Sequence, residues 1–192
     1  MVAPVTSTNI VNQAINMMGG NTQPITGVSP NFDSSAAGQA AASLYIPCVK
    51  TVARQFSWDF SHYGPTALIP TGNPASILWA YEYYYPADCV QVRQVMPNAL
   101  TDIFNPLPIL WEISNNVVAG LTIKTIQTNF ANAQVTYSNY PPENTWDSLF
   151  REAVVRLLSS ELAVALAGRP DTARDNLSSG AEFIQIGESR DG

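Results

Sequence analysis

The chain has 192 residues, of which 46% are hydrophobic and only 12% are charged. The length fits one domain of ordinary size or a compact core with an insertion, and the hydrophobic fraction excludes a disordered chain. Globular proteins carry roughly 25% charged residues. The low charge is therefore a first indication of extensive contact between subunits, and a surface covered by Asn, Gln, Ser and Thr is the alternative that composition leaves open.

Fifteen acidic residues outnumber nine basic ones, which gives a net charge of −6. This balance argues against a protein that grips nucleic acid phosphates, but it is compatible with a protein past which DNA slides. No apolar run approaches the roughly 18 residues of a membrane span. No Lys or Arg precedes Lys50, so the basic start of a signal peptide is missing and we expect a cytoplasmic site of synthesis without membrane association.

Residues suited to catalysis or metal binding are few. Cys48, Cys89 and His62 are the only cysteines and histidine, whereas a structural zinc site needs about four such ligands. Asp88 and Glu82 are conceivable paired carboxylates, yet any chain with fifteen acids offers such pairs. Motifs of nucleotide-binding loops, hydrolases and zinc proteases are missing. We expect no enzyme activity, no catalytic residue, no metal and no cofactor; an enzyme with an unrecognised site is a minor alternative.

Two helices are predicted before residue 57. The first spans Ser7 to Met18, with Thr6 or Ser7 as its cap and Gly19-Gly20 as its stop. The second opens at Ser34 or Ser35 and reaches Phe56. Pro47 lies inside it and predicts a kink or a split into two helices.

Between about Ser57 and Tyr140 the hydrophobic period changes to two, which is typical of strands. A turn is expected at Pro86-Ala87-Asp88 and a hairpin turn at Ser114-Asn115-Asn116. No segment of helical length separates the strands, which favours an antiparallel meander. The predicted strands are Ile77 to Tyr85, Val90 to Met96, Ile109 to Ile113, Val117 to Ile126 and Ala133 to Tyr137.

The most regular apolar stripe runs from Trp146 to Leu166 and includes Leu157 and Leu158. Asn144 or Thr145 is its expected cap, and Gly168 its expected end. A final helix is predicted from Asp171, with an interruption at Gly180. The fold class is therefore α+β: a helical bundle built from N- and C-terminal segments, with an inserted antiparallel β meander. The expected division is 1–56, 57–140 and 141–192.

Four segments together resemble one known family. They are residues 17–20 (MMGG) with Pro24-Ile25, residues 40–47 (AAASLYIP) leading to 58–60 (WDF), residues 79–92 (WAYEYYYPADCVQV), and residues 146–153 (WDSLFREA) through 161–163 (ELA). They occur in the same order along most of the chain, between residues 17 and 163, and resemble the tail tubular protein A-like family, the head-to-tail adaptors of tailed bacteriophages. The Tyr-Pro-Ala-Asp-Cys run is the most specific piece, while the proline-rich residues 103–108 depart from the pattern. The motif residues expected to have structural roles are Trp58, Trp79, Tyr81, Pro86, Asp88, Cys89 and Trp146.

The resemblance implies a structural subunit of the virion neck or tail. Such subunits form a homo-oligomeric ring, typically a dodecamer, that binds beneath the portal protein after DNA packaging. The ring extends the DNA ejection channel, lets DNA pass without sequence-specific binding, and provides the attachment surface for the downstream tail or nozzle protein. An acidic, charge-poor chain suits that lumen, because a basic one would slow ejection.

The resemblance also implies a C-terminal region that docks on the portal. Phe183 and Ile186 leave the helical stripe that Ile184 continues, so Phe183, Ile184 and Ile186 are the predicted portal-docking residues. Packing of Phe183 and Ile186 on the protein's own bundle is the alternative. For the function as a whole, the alternative is a glycan- or receptor-binding tail module that uses the aromatic strand from Trp79 to Tyr85.

Overall fold

A computed structural model describes residues 5–19, 22–55, 58–73, 76–97, 109–167 and 170–190. It combines four helices with three small antiparallel sheets, so the α+β class is confirmed. The contacts divide the chain into two compact units: a helical unit of residues 1–60 and 140–192, and a β unit of residues 61–139.

The helical unit contains α1 (Ser7–Met18), α2 (Ala36–Gln55), α3 (Ser148–Ala167) and α4 (Pro170–Arg190). Helix α3 contacts each of the other three helices. Apolar side chains from α1, α2 and α3 meet in its core, where the largest fully buried ones are Trp58, Tyr45, Phe150, Ile10, Leu158, Leu162, Val11, Val49 and Val52. Burial of this surface is the main source of stability for the unit.

Helix α1 is confirmed at both ends. The Thr6 side chain accepts a hydrogen bond from the Asn9 backbone N–H, as an N-cap does, and Gly19 follows the last turn with φ 72°. A positive φ at this position favours glycine, because residues with a side chain rarely adopt this backbone conformation. The local signals at residues 6 and 19 therefore determine the length of this helix.

Helix α2 is one helix, so the predicted split at Pro47 is wrong. Proline lacks the N–H that would bond to the carbonyl four residues earlier, which is that of Ser43. Both Pro47 and Ser43 are exposed, so water can satisfy that carbonyl. The buried residues on either side of Pro47, including Tyr45 and Val49, hold the two halves on one core.

The cap of α3 lies later than predicted. Asp147 Oδ1 accepts a hydrogen bond from the Phe150 backbone N–H at 2.7 Å, which makes Asp147 the capping residue. Thr145, one of the predicted caps, ends a short 3-10 turn over Glu143–Thr145 instead. An Asp at this position also suits the positive end of the helix dipole. The predicted end at Gly168 lies outside the described residues.

Helix α4 runs through Gly180 without a break, so the predicted interruption is wrong. Gly180 is buried against α3, where an added Cβ would lie 3.5 Å from the Arg156 Cβ. The glycine thus packs close to a neighbouring helix, and that packing outweighs its low helix propensity. The helix also includes residues 187–190.

The strands are β1 (Gly27–Val28), β2 (Asn31–Phe32), β3 (His62–Ala67), β4 (Tyr81–Tyr84), β5 (Cys89–Met96), β6 (Trp111–Val118), β7 (Leu121–Thr128) and β8 (Gln134–Asn139). β1 and β2 form a two-stranded sheet in the helical unit. The β unit holds two sheets with strand orders β3-β8-β5 and β4-β7-β6. A meander pairs strands that follow each other in sequence, and among the described strands of this unit only β6 and β7 do so. The expected meander is not confirmed.

Two predicted β elements differ from the observed ones. The strand expected over Ile77 to Tyr85 is limited to β4, because residues 76–79 form a turn. The hairpin turn expected at Ser114 to Asn116 lies instead at Ala119 and Gly120, with φ 51° and 82°. Positive φ at both central residues is the geometry of a tight hairpin turn that follows the twist of the strands. The three polar residues 114–116 lie within β6 and pair with β7.

One apolar core joins the two sheets of the β unit. It is formed by Leu68, Tyr83, Val92, Val95, Ile109, Ile126, Ala133, Val135 and Tyr137. Tyr83 and Ile126 are opposite each other on β4 and β7, so the same face of that sheet points into the core. The opposite face carries Glu82, Gln127 and Thr125, all buried polar residues.

Candidate functional site

The family-like segment 79–92 and the loop before it concentrate the polar contacts of the β unit. Glu82 is the centre of this region: its side chain is only 5% exposed although it is acidic. Its carboxylate accepts hydrogen bonds from Thr71 Oγ1 at 3.0 Å, from Gln127 Nε2 at 3.1 Å and from Asn116 Nδ2. A buried carboxylate needs such donors, since an unpaired one is very costly.

The donors to Glu82 come from three separate parts of the chain. Gln127 lies on the adjacent strand β7, Asn116 on β6, and Thr71 in the connection between β3 and β4. The Thr71 backbone N–H also donates to the Glu82 carbonyl at 3.0 Å. Glu82 therefore anchors the β3–β4 connection to the polar face of the sheet.

The far end of the same connection is held by Trp79. Its indole N–H donates to Glu112 Oε2 at 3.0 Å, and its backbone N–H donates to the Ser76 carbonyl at 3.2 Å. The Ala80 N–H donates to Asn129 Oδ1 at 2.9 Å. A hydrogen-bonded turn over residues 76–79 results, and its two central side chains face solvent: Ile77 is fully exposed and Leu78 is 77% exposed.

The predicted turn at Pro86-Ala87-Asp88 is present. The Cys89 N–H donates to the Pro86 carbonyl at 3.1 Å, and Asp88 Oδ1 accepts a hydrogen bond from the Tyr137 hydroxyl at 2.9 Å. Burial, together with the Asp88 carboxylate, raises the pKa of Tyr137. Asp88 thus fixes the turn to strand β8. It shares no hydrogen-bond partner with Glu82, so the contacts of the two acids do not form a carboxylate pair.

An apolar cavity of about 360 Å³ adjoins this turn within the β unit. It lies after the end of β4 and beside the start of the β3–β4 connection. Lys124 Nζ lies 4.1 Å from the centre of the Tyr85 ring, one of its walls. The lining residues include Leu68, Ile69, Tyr84, Tyr85, Pro86 and Val135.

The aromatic residues of segment 79–85 do not share one exposed surface. Tyr83 is buried and its hydroxyl donates to the Phe130 carbonyl at 2.8 Å. Tyr81 and Tyr84 are partly exposed, but as odd and even positions of β4 they lie on opposite faces. Lys124 covers the Tyr85 ring. The exposed rings of β4 therefore lie on two faces of the strand.

The remaining motif tryptophans belong to the helical core. Trp58 packs edge to face on Phe150 with ring centres 5.2 Å apart, and its indole N–H donates to the Val52 carbonyl at 3.1 Å. Trp146 also packs edge to face on Phe150, with ring centres 4.8 Å apart, and its indole N–H donates to the Pro141 carbonyl at 3.0 Å. These contacts attach the chain before α3 and the chain after α2 to the same aromatic residue.

Neither cysteine considered for catalysis lies in an environment that activates a thiol. Burial raises the pKa of Cys48 to about 12 and also raises the pKa of Cys89, the opposite of what activates a thiol. His62 lies exposed at the start of β3. In the described part of the chain, no group of three or more His, Cys, Asp or Glu side chains is placed to hold a metal ion. Within the same residues, no helix has the length and apolar character that crossing a membrane requires.

The predicted portal-docking residues lie on α4. Phe183 is half-buried, with the Arg156 guanidinium 5.0 Å from its ring centre. Ile184 lines a groove of about 80 Å³ in the helical unit together with Val52, Leu157 and Leu177. Ile186 is 43% exposed. The three residues thus occupy three different environments on one helix.

No family model matches the chain, and no curated protein matches it.

Proposed function

We propose that the protein is a structural subunit of the head-to-tail adaptor ring of a tailed bacteriophage. In this proposal it is located in the virion neck or tail, binds beneath the portal protein and extends the channel through which DNA is ejected. A homo-oligomeric ring, typically a dodecamer, offers the attachment surface for a downstream tail or nozzle protein. It is not an enzyme and uses no cofactor or metal.

The observation that supports this proposal best is that the motif side chains make contacts that hold the fold together. Trp79 and Asp88 each take part in a hydrogen bond with a residue 33 or 49 positions away, and Trp58 and Trp146 both pack on Phe150. None of these contacts leaves a reactive group aimed into a cavity. Residues that brace a fold are expected in a subunit whose task is to hold its shape under load.

The finer architecture belongs to the same proposal. The helices contributed by residues 1–60 and 140–192 form the bundle of an adaptor subunit, and residues 61–139 are its inserted antiparallel β region. The bundle is the side that binds the portal through α4, with Phe183, Ile184 and Ile186 as the docking residues.

Charge is consistent with this division of roles. Only six of the 24 charged residues lie in the β unit, and Glu82 among them is buried. Lys124, Asp88 and Glu112 are each in contact with an aromatic residue of their own unit. A surface with so few charges and with exposed aliphatic residues suits contact with other proteins better than full exposure to water.

The experiment that tests the proposal is electron microscopy of the protein mixed with the portal protein of the same virus. We expect a ring coaxial with the portal that is missing from images of either protein alone. Ile186→Glu is expected to reduce binding at least tenfold, whereas Val164→Glu, at a residue 57% exposed on α3 and outside the groove of Ile184, retains it. Portal images that are unchanged by the added protein contradict the proposal. Equal losses of portal binding in both variants contradict the docking site.

A further inference from the structure

The turn at residues 76–79 presents Ile77 and Leu78, named here the aliphatic turn, in a fixed position. Three hydrogen bonds hold it. Trp79 donates to Glu112 of β6 and to the Ser76 carbonyl, and the Ala80 N–H donates to Asn129, which follows β7. Exposed aliphatic side chains are unfavourable in water. A turn that is both braced and apolar at its tip is suited to insertion into another surface, since little conformational entropy is lost when it binds.

The cavity of the β unit has the complementary properties. Its volume of about 360 Å³ exceeds the roughly 150 Å³ at which an apolar cavity takes up a benzene-sized ligand, so it has room for two aliphatic side chains. Its walls are mainly apolar, and it is open to solvent at Ile69, which is 68% exposed. The Tyr84 N–H donates to the Ile69 carbonyl at 2.9 Å, which fixes two of its walls relative to each other.

The aliphatic turn and the cavity lie at opposite ends of β4. Residues 77 and 78 come before the first residue of this strand. The cavity is lined by its last residue, Tyr84, and by residues 85–87 that follow it. Four strand residues span about 13 Å. One copy therefore cannot fill its own cavity with its own turn, but successive copies can do so head to tail.

The charges beside the two features are also complementary. Glu112 lies next to the aliphatic turn through its bond to Trp79, while Lys124 lies over the ring of Tyr85, one of the residues that line the cavity. Asp88, the acid nearest the cavity in sequence, accepts a hydrogen bond from Tyr137. One acid beside the turn and one basic group beside a wall of the cavity favour a contact between them.

We propose that the aliphatic turn of one subunit inserts into the cavity of the next copy of the same chain. This contact uses a different surface on each partner, so it repeats, and it closes into a ring when the rotation between copies allows. The inference rests on the proposed function and specifies how neighbours in the ring recognise each other.

Disulfide trapping tests the contact in the free protein. Cys48→Ala and Cys89→Ala remove the native thiols, and Leu78→Cys and Ile69→Cys are made in separate chains with tags of different mass. The two chains are mixed and oxidised with diamide. We expect at least tenfold more crosslinked heterodimer than in a control mixture in which Leu121→Cys, at a residue 69% exposed in the same unit, replaces Leu78→Cys. A chain that carries both Leu78→Cys and Ile69→Cys is expected to give a ladder of oligomers.

Equal heterodimer yields in the two mixtures overturn the inference. A second measurement retains the native cysteines: sedimentation velocity over a concentration series compares Leu78→Asp with Leu121→Asp. We expect Leu78→Asp alone to weaken self-association, by at least fivefold, and equal behaviour of the two variants contradicts the proposal. Neither readout requires the portal. If the crosslink forms but no ring forms on the portal, the proposed function is refuted and the contact between copies is not.

Discussion

At the scale of single residues, the Asp33 carboxylate closes the loop between α1 and α2. It accepts hydrogen bonds from Ser35 and from the Thr26 backbone N–H, the latter at 2.6 Å. These bonds, with the Ser35 side chain contributing most, lower the pKa of Asp33 from 3.8 to about 2. The ionised form therefore stabilises the folded state.

The first prediction concerns acid stability. Because the folded pKa is below the unfolded one, the contribution of Asp33 is complete above about pH 4 and is lost as the pH falls towards 2. Urea unfolding of Asp33→Asn should show lower stability than wild type at pH 5, and the difference should shrink towards pH 2. Ser35→Ala, which removes one donor, should give a smaller difference over the same interval. Parallel pH curves for wild type and Asp33→Asn would contradict this assignment.

The second prediction concerns the buried carboxylate of Glu82. Glu82→Ala removes the acceptor of the buried Gln127 amide and of the part-buried Thr71 and Asn116 side chains, and an unsatisfied buried donor costs about 1–3 kcal/mol. We expect a loss of at least about 2 kcal/mol. Glu112→Ala, which removes one exposed acceptor from Trp79, should cost about 1 kcal/mol. Similar free energies of unfolding for the two variants would show that the network does not anchor the loop.

At the scale of elements, α3 is the helix on which the helical unit depends. Leu158 is fully buried, whereas Arg156 pairs with Glu152 at 2.8 Å on a partly exposed face and also covers Phe183. Leu158→Ala should cost about 2–5 kcal/mol. Arg156→Ala should cost about 1–2 kcal/mol, as the sum of a surface ion pair and a cation–π contact. Thermal denaturation of both variants tests the order, which equal shifts in Tm would contradict.

Replacing two helical glycines by alanine is predicted to change the stability in opposite directions. A Cβ at Gly180 meets Arg156 at an ordinary 3.5 Å, so Gly180→Ala should stabilise the protein by up to about 1 kcal/mol through helix propensity. A Cβ at Gly38 would lie 2.3 Å from the Asp33 carbonyl oxygen, so Gly38→Ala should destabilise it and displace the loop. Melting curves that move in the same direction would mean that the packing around one of them is misassigned.

The elements that could be predicted from sequence are those with local signals. Thr6 and Gly19 mark α1, and the Pro86 turn and the hydrophobic periods mark most strands and helices. The errors arise where contacts distant in sequence decide. Packing on Arg156 carries α4 through Gly180, and the exposure of Pro47 lets α2 continue. A turn that requires two positive φ angles selects Ala119-Gly120 over the more polar Ser114 to Asn116.

The candidate site was less predictable than the fold. The segment 79–92 is prominent in the sequence, but nothing local shows that Glu82 is buried, because its donors lie 11, 34 and 45 residues away. The exposure of Ile77 and Leu78 was likewise hidden, since alternating residues from 77 to 85 fit a strand. A hydrogen bond from Trp79 to a residue 33 positions away creates the turn instead.

At the scale of the whole molecule, the proposed contacts between copies lie in the β unit, whereas the proposed portal contacts lie on α4 of the helical unit. The helical unit has the larger aromatic core, and the β unit has the charge-poor surface with the aliphatic turn and the cavity. Weak contacts between copies become strong when a template presents many sites at once, because each further contact is then effectively intramolecular. We therefore expect the free protein to associate weakly and reversibly into no more than small oligomers, and a closed ring to form on the portal.

Multi-angle light scattering of the protein with its portal tests this central claim most directly. The free protein should elute as a monomer or small oligomer of the 20.8 kDa chain. With the portal present, the complex should gain a defined mass, about 250 kDa for twelve copies. A folded protein that adds no mass to the portal at saturating concentration would contradict the adaptor function.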